Sequence, residues 1–200
     1  MDHFEVFGLP RRLGIDAAEL QRKFYELSRR GHPDFHQGAL PERQAEILEA
    51  SARLNAAYRA LRDPIGRIEY LVRLEEGRDT REGATVKLKA PPELLEEMFE
   101  IQESLQEAQS SGQPGGLEAG ARATLAAHRE RLVARHQEEE HRLRGPLSEA
   151  WDSGGAAERA RVITAFKEAL AARAYLRTVI DDIYEALGEV RESYVSHRRH

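Results

Sequence analysis

The chain has 200 residues, 32% of them charged, with 35 acidic and 30 basic side chains and a formal net charge of -5. The two signs are interleaved, so there is no basic stripe of the kind a phosphate backbone requires, and nucleic acid is not an expected partner. The lack of cysteine excludes a disulfide scaffold, a thiol nucleophile and a cysteine-ligated metal or iron-sulfur centre on this chain.

Phe4, Phe7 and Leu9 form a short apolar opening ended by Gly8-Leu9-Pro10. Asp16-Ala17-Ala18-Glu19 then supplies a helix N-cap with an acidic third position, which predicts a helix over Ala17–Arg30. Ala17, Leu20, Phe24 and Leu27 share one face of it; Arg22 and Arg29 project from the other, with Lys23 and Arg30 at its margin. Gly31 and Pro33 stop this helix, because glycine tolerates left-handed geometry and proline disfavours helix for the residue before it. A polar loop through Gly38 leads to a second helix, Pro41–Arg62, outlined by Ile47, Leu48, Leu54, Tyr58 and Leu61 and closed by Asp63-Pro64. A short helix over Ile65–Leu74 follows.

Residues 75–92 carry Gly77, Gly83, Pro91, Pro92 and many charges without sustained periodicity, and read as a connection. Beyond it lie three helical tracts, Pro92–Ser110, Leu117–Leu143 and Ala156–Val195, separated by glycine-rich and Gly-Pro segments. Three helices with short connections pack most simply as an antiparallel bundle. No stretch approaches the roughly 20 apolar residues of a membrane span, and Met1-Asp2-His3-Phe4-Glu5 offers no basic flank before an apolar run. The expected location is the cytoplasm, with no membrane partner.

The feature that stands out is His32-Pro33-Asp34, at the break between the first two long helices. It lacks a serine, cysteine or paired carboxylate at a spacing that would form a catalytic relay, so no catalytic residue is assigned. A metal site is not expected either, since Pro33 breaks the helix that would align His32 with His36. His128, His136 and His141 miss the four-residue spacing of a helical metal pair and are expected at the solvated surface. No glycine-rich phosphate loop appears, and no cofactor is assigned. Residue types alone allow Pro33 and Asp34 to do no more than end a helix and start a turn.

The tripeptide's company points further. A basic helix face, then His-Pro-Asp, then a helix containing Asn55-Ala56-Ala57-Tyr58-Arg59-Ala60-Leu61-Arg62-Asp63-Pro64 resembles the J-domain of DnaK-class co-chaperones. The opening Asp2-His3-Phe4-Glu5-Val6-Phe7-Gly8-Leu9-Pro10, the segment Arg62-Asp63-Pro64-Ile65-Gly66-Arg67-Ile68-Glu69-Tyr70-Leu71 and the helical second half resemble the HscB family. That resemblance implies an all-α fold: a J-domain over residues 1–75, a linker over 76–91 and a C-terminal helical bundle over 92–200. In the family the J-domain stimulates ATP hydrolysis by a specialised DnaK-class chaperone, HscA, and the bundle holds the iron-sulfur scaffold protein IscU. It further implies that His32, Pro33 and Asp34 contact the chaperone, assisted by Arg22, Lys23, Arg29 and Arg30. On this view the chain is not an enzyme; any turnover belongs to its partner.

A second surface is expected on the helix beginning near Pro92. Leu94, Met98, Ile101 and Leu105 make a stripe sufficient for a bundle core. Leu95 and Phe99 lie about a quarter-turn away, bordering Glu96, Glu100, Glu103 and Glu107; periodicity alone fits a broad buried face and a partner site equally well. The family resemblance implies scaffold binding by Leu95, Phe99, Glu100, Glu103 and Glu107, with Glu96 standing where the pattern usually has an apolar residue. On the last helix Val162, Phe166, Ile180, Ile183 and Leu187 form an inward stripe; Tyr175 is expected to point away from it, and the resemblance makes it a further scaffold contact. The segment 111–116 and the tail Ser193–His200 are longer than the family pattern. A general J-domain adaptor that recruits a different client would carry the same tripeptide.

Overall fold

The computed structural model describes residues 1–31, 38, 40–77, 95–110 and 119–189, and these contain helices and connections but no strand. The α-helices are α1 (His3–Val6), α2 (Ala17–Arg30), α3 (Pro41–Arg62), α4 (Pro64–Glu75), α5 (Leu95–Ser110), α6 (Ala119–Arg142), α7 (Ser148–Ser153) and α8 (Ala156–Leu187). A single π turn, Leu143–Leu147, joins α6 to α7.

Helix boundaries follow from local chemistry. The Asp16 carboxylate accepts from the amides of Ala18 at 2.7 Å and Glu19 at 3.3 Å, satisfying donors that the first turn of α2 leaves open. Asp63 alone separates α3 from α4; its carboxylate accepts from the Gly66 amide at 2.6 Å, and Pro64 occupies the first helical position, where a missing N–H costs nothing. The last helix is shorter than the periodicity predicts. It ends at Leu187 because Gly188 adopts φ +69° and the Glu189 amide turns back to the Tyr184 carbonyl at 3.0 Å, a left-handed stop that glycine permits.

The chain forms two compact units: Met1–Gly83 with Leu143–Lys167, and Ala84–Arg142 with Glu168–His200. Residues 143–167 therefore belong with the N-terminal unit and not with a bundle covering 92–200. No local pattern announces this, because the forces responsible are contacts between residues far apart in sequence.

In the first unit Phe4, Leu20, Leu61, Leu71, Leu143 and Phe166 are fully buried, and half of α4 is buried with them. The Phe24 ring stacks on Tyr58 of α3 with centroids 4.2 Å apart. Leu48, expected on the inward stripe of α3, is 58% exposed; Ile47, one residue earlier and 100° around the helix, takes the inward place. Ala17 is likewise exposed, so the inward face of α2 begins at Leu20.

Arg67 is buried at 3% exposure. Its Nε donates to the Leu61 carbonyl at 2.8 Å and its Nη1 to the Leu13 carbonyl, so main-chain carbonyls take the place of water around the cation. Burial pulls the guanidinium below its ordinary basicity, against the opposing pull of Asp63 and Asp152. Arg67→Met removes both donors while filling similar space. We expect it to lower unfolding stability by about 3 kcal/mol, read as a reduced urea midpoint at unchanged m-value, because two carbonyls lose a charged partner.

The second unit is built on one apolar cluster: Met98 and Ile101 of α5, Leu125 and Leu132 of α6, and Leu176, Val179, Ile180, Ile183 and Leu187 of α8. Arg173 on α8 ties to α6, donating from Nε and Nη2 to Glu140 Oε1 at 2.9 and 2.7 Å. His128 and His136, expected at the surface, are 4% and 6% exposed. With Leu125 and Leu132 they complete a stripe at 3- and 4-residue intervals, so helical geometry carries them inward whatever their polarity. His128 Nδ1 lies 2.8 Å from Arg131 Nη2. Glu97 of α5 completes this cluster, with Oε1 3.3 Å from Arg131 Nε and 3.6 Å from His128 Nδ1. His141 is exposed, as expected.

Candidate functional site

Two surfaces, one in each unit, carry the residues singled out by sequence. On α2, burial of Leu20 and half-burial of Phe24 and Leu27 turn the opposite face to solvent. Arg22, Arg29 and Arg30 are exposed there, and Lys23 is half-buried at the margin. The four cations differ in availability. Lys23 lies 3.7 Å from Glu19 and Arg30 lies 2.8 Å from Glu26, both one helical turn away, whereas Arg22 and Arg29 make no ion pair among the described residues. Exposed one-turn pairs are worth only about 0.3–0.5 kcal/mol, so a partner carboxylate could displace either one.

Sequence reasoning missed one member of this face. Tyr25 is 61% exposed and lines a surface hollow with Glu26, Arg29 and Arg30. The signal was available: Phe24 fills the inward position, so an aromatic immediately after it must lie 100° away, beside the cations. His32, Pro33 and Asp34 follow directly on α2 in sequence and lie outside the described residues.

On α5, Met98 and Ile101 enter the core and Leu105 packs against it. Phe99 is 73% exposed, and Glu100 and Glu103 beside it are exposed as well. The structure therefore brings an uncovered aromatic ring and two carboxylates to one face of this helix. The side chains of Leu95 and Glu107 lie outside the described residues. Tyr175 does not point away from the bundle: it is partly buried against the α5, α6 and α8 cluster, and burial raises its phenol pKa. Its position at the edge of the apolar stripe, one residue before buried Leu176, explains the difference.

Among the described residues no three His, Asp or Glu side chains converge as a metal site, and no helix is long and apolar enough to cross a membrane.

No family model matches the chain. Among curated proteins it is 35% identical over 152 residues to the co-chaperone HscB homolog of Vibrio atlanticus, covering 76% of this chain and 83% of that one. It is 35% identical over 114 residues to the homolog of Aliivibrio fischeri, where the match spans 57% of this chain and 65% of the relative. Among solved structures it resembles HscB from Vibrio cholerae with a TM-score of 0.52 and 26% identity, over 92% of this chain and 99% of that chain. It shares the fold of human HscB with a TM-score of 0.59 at 23% identity, over 92% of this chain and 80% of that chain. An all-helical chain in which a J-domain precedes a helical C-terminal domain is a co-chaperone in class. The chain belongs to the HscB co-chaperone family.

Proposed function

We propose that this chain stimulates the ATPase of a DnaK-class, HscA-like chaperone and delivers to it an IscU-like iron-sulfur scaffold protein, in the cytoplasm and without turnover chemistry of its own. Family membership supports this reading, and one structural observation carries it: each unit exposes a surface of opposite electrostatic character. The first offers Arg22, Lys23, Arg29 and Arg30 on the helix that runs into His32-Pro33-Asp34. The second offers Phe99 ringed by Glu100 and Glu103.

Exposed cations on a rigid helix raise the encounter rate with an acidic partner surface, and the contribution falls with salt. Contacts made by His32 and Asp34 would then favour one conformation of the chaperone over another. The scaffold surface follows the usual economy of protein recognition, an aromatic anchor inside a polar rim. In this reading Leu95, Glu107 and the partly buried Tyr175 are further scaffold contacts.

The test is chaperone ATPase measured with this chain, with the scaffold, and with both. The reading requires stimulation by the chain alone and a further, more than additive rise when scaffold is present. Stimulation indifferent to scaffold would instead indicate an adaptor for some other client.

A further inference from the structure

Asp152 lies far along the sequence from α2 and belongs to neither recognition surface. Yet its carboxylate accepts two main-chain hydrogen bonds from the loop that leads into α2: Leu13 N to Oδ1 and Gly14 N to Oδ2, both 2.8 Å. Trp151 beside it is 2% exposed and donates from Nε1 to the Arg11 carbonyl at 3.0 Å. From the other side Arg67 of α4 takes the Leu13 carbonyl. Leu13 thus has its N–H held by an anion and its C=O by a cation, the strong, charge-assisted kind of hydrogen bond.

Two further features show that the fit is specific. A Cβ on Gly14 would stand 3.1 Å from Asp152 Oδ2, tighter than most such contacts, so the carboxylate would have to give by a few tenths of an ångström to keep both amides. Asp16, the N-cap of α2, follows Gly14 by two residues, and each residue spans at most about 3.6 Å of chain. The clamp therefore anchors the chain two residues before the N-cap of α2. Arg22 and Lys23 lie in its second turn.

We propose that Asp152 is a positioning residue for chaperone recognition, fixing the start of α2 through the Leu13 and Gly14 amides so that Arg22 and Lys23 face the partner in one geometry. The link to the chaperone rests on the function proposed above; the positioning does not. Because His32-Pro33-Asp34 follows the opposite end of α2, loss of the clamp weakens encounter without weakening the stimulation reached at saturation.

The test uses the full chain as Asp152→Ala, Asp152→Asn and, as a variant that crowds the carboxylate without removing it, Gly14→Ala. All are compared with wild type at a temperature where far-UV circular dichroism shows full helicity. Amide hydrogen exchange at Ala18 and Glu19 is expected to quicken in Asp152→Ala and Gly14→Ala, and less in Asp152→Asn, which keeps an acceptor. In ATPase titrations the half-maximal concentration is expected to rise about tenfold, the low end of what charge steering supplies, at unchanged maximum. In an Arg22→Ala/Lys23→Ala background Asp152→Ala should add little, the mark of residues acting through one another.

Unchanged exchange in both Asp152→Ala and Gly14→Ala overturns the positioning. A lowered maximum, an unchanged half-maximal concentration, or full additivity with the double background overturns its link to recognition. Absence of any stimulation by wild type would count against the proposed function itself, and the exchange result would still decide whether Asp152 sets the start of α2.

Discussion

Asp34→Asn is expected to abolish most of the stimulation of the chaperone ATPase while leaving the thermal midpoint and scaffold affinity of the chain unchanged. Asparagine matches aspartate in size and keeps a carbonyl oxygen in place of one carboxylate oxygen. It removes the charge and replaces one acceptor by a donor. If Asp34 recognises the chaperone through a desolvated, charged contact, truncating that contact costs about 2–5 kcal/mol, a loss of roughly 30-fold or more. A steady-state ATPase titration checks this, with a thermal melt as the control for folding. Stimulation within twofold of wild type would remove His32-Pro33-Asp34 from the interaction. The effect differs in kind from that of the helix cations: Arg22→Ala or Arg29→Ala should shift the half-maximal concentration and flatten its salt dependence, because exposed charges act mainly on encounter.

Phe99→Ala is expected to weaken scaffold binding about 30-fold, with ATPase stimulation in the absence of scaffold unaltered. The ring is 73% exposed, so truncating it removes little packing from the bundle, whose α5 contribution comes from Met98 and Ile101. An aromatic that becomes the centre of an interface typically costs about 2 kcal/mol or more on truncation, equivalent to roughly 30-fold in Kd. Glu100→Gln and Glu103→Gln should each cost less and mostly slow association, since rim charges steer more than they hold. Isothermal titration against the scaffold resolves the two classes. Affinity unchanged in Phe99→Ala would show that this exposed face serves some other purpose.

Much of this architecture was legible in the sequence, for identifiable reasons. The bounds of α2 and α3 follow from Asp16, Gly31, Pro41 and Asp63-Pro64, each of which acts on its immediate neighbours. Periodicity set Phe99 beside the inward stripe of Met98 and Ile101 but left a buried and an exposed reading equal; the structure leaves the ring uncovered. What escaped was of two kinds. The attachment of residues 143–167 to the N-terminal unit depends on Trp151 reaching the Arg11 carbonyl and Asp152 reaching the Leu13 and Gly14 amides, and nothing in the local pattern of Ser148–Ser153 encodes a partner so distant in sequence. Another pattern was overlooked where geometry governed: His128 and His136 miss the spacing of a metal pair and were expected at the surface, but their spacing from Leu125 and Leu132 turns them inward. Tyr175 and Tyr25 make the same point from opposite directions, one drawn onto the core and the other left uncovered beside a ring that already fills the inward place.

The central claim is that one chain engages chaperone and scaffold together, through α2 with the tripeptide that follows it and through α5. It is tested most directly by mixing two variants, Asp34→Asn and Phe99→Ala, each defective in one contact and intact in the other. Chaperone ATPase is then measured with scaffold present. If delivery requires both contacts on a single chain, the equimolar mixture shows no more scaffold-dependent stimulation than the sum of the separate variants. Restoration of wild-type synergy by the mixture would contradict the account, because the two surfaces would then be working on different molecules.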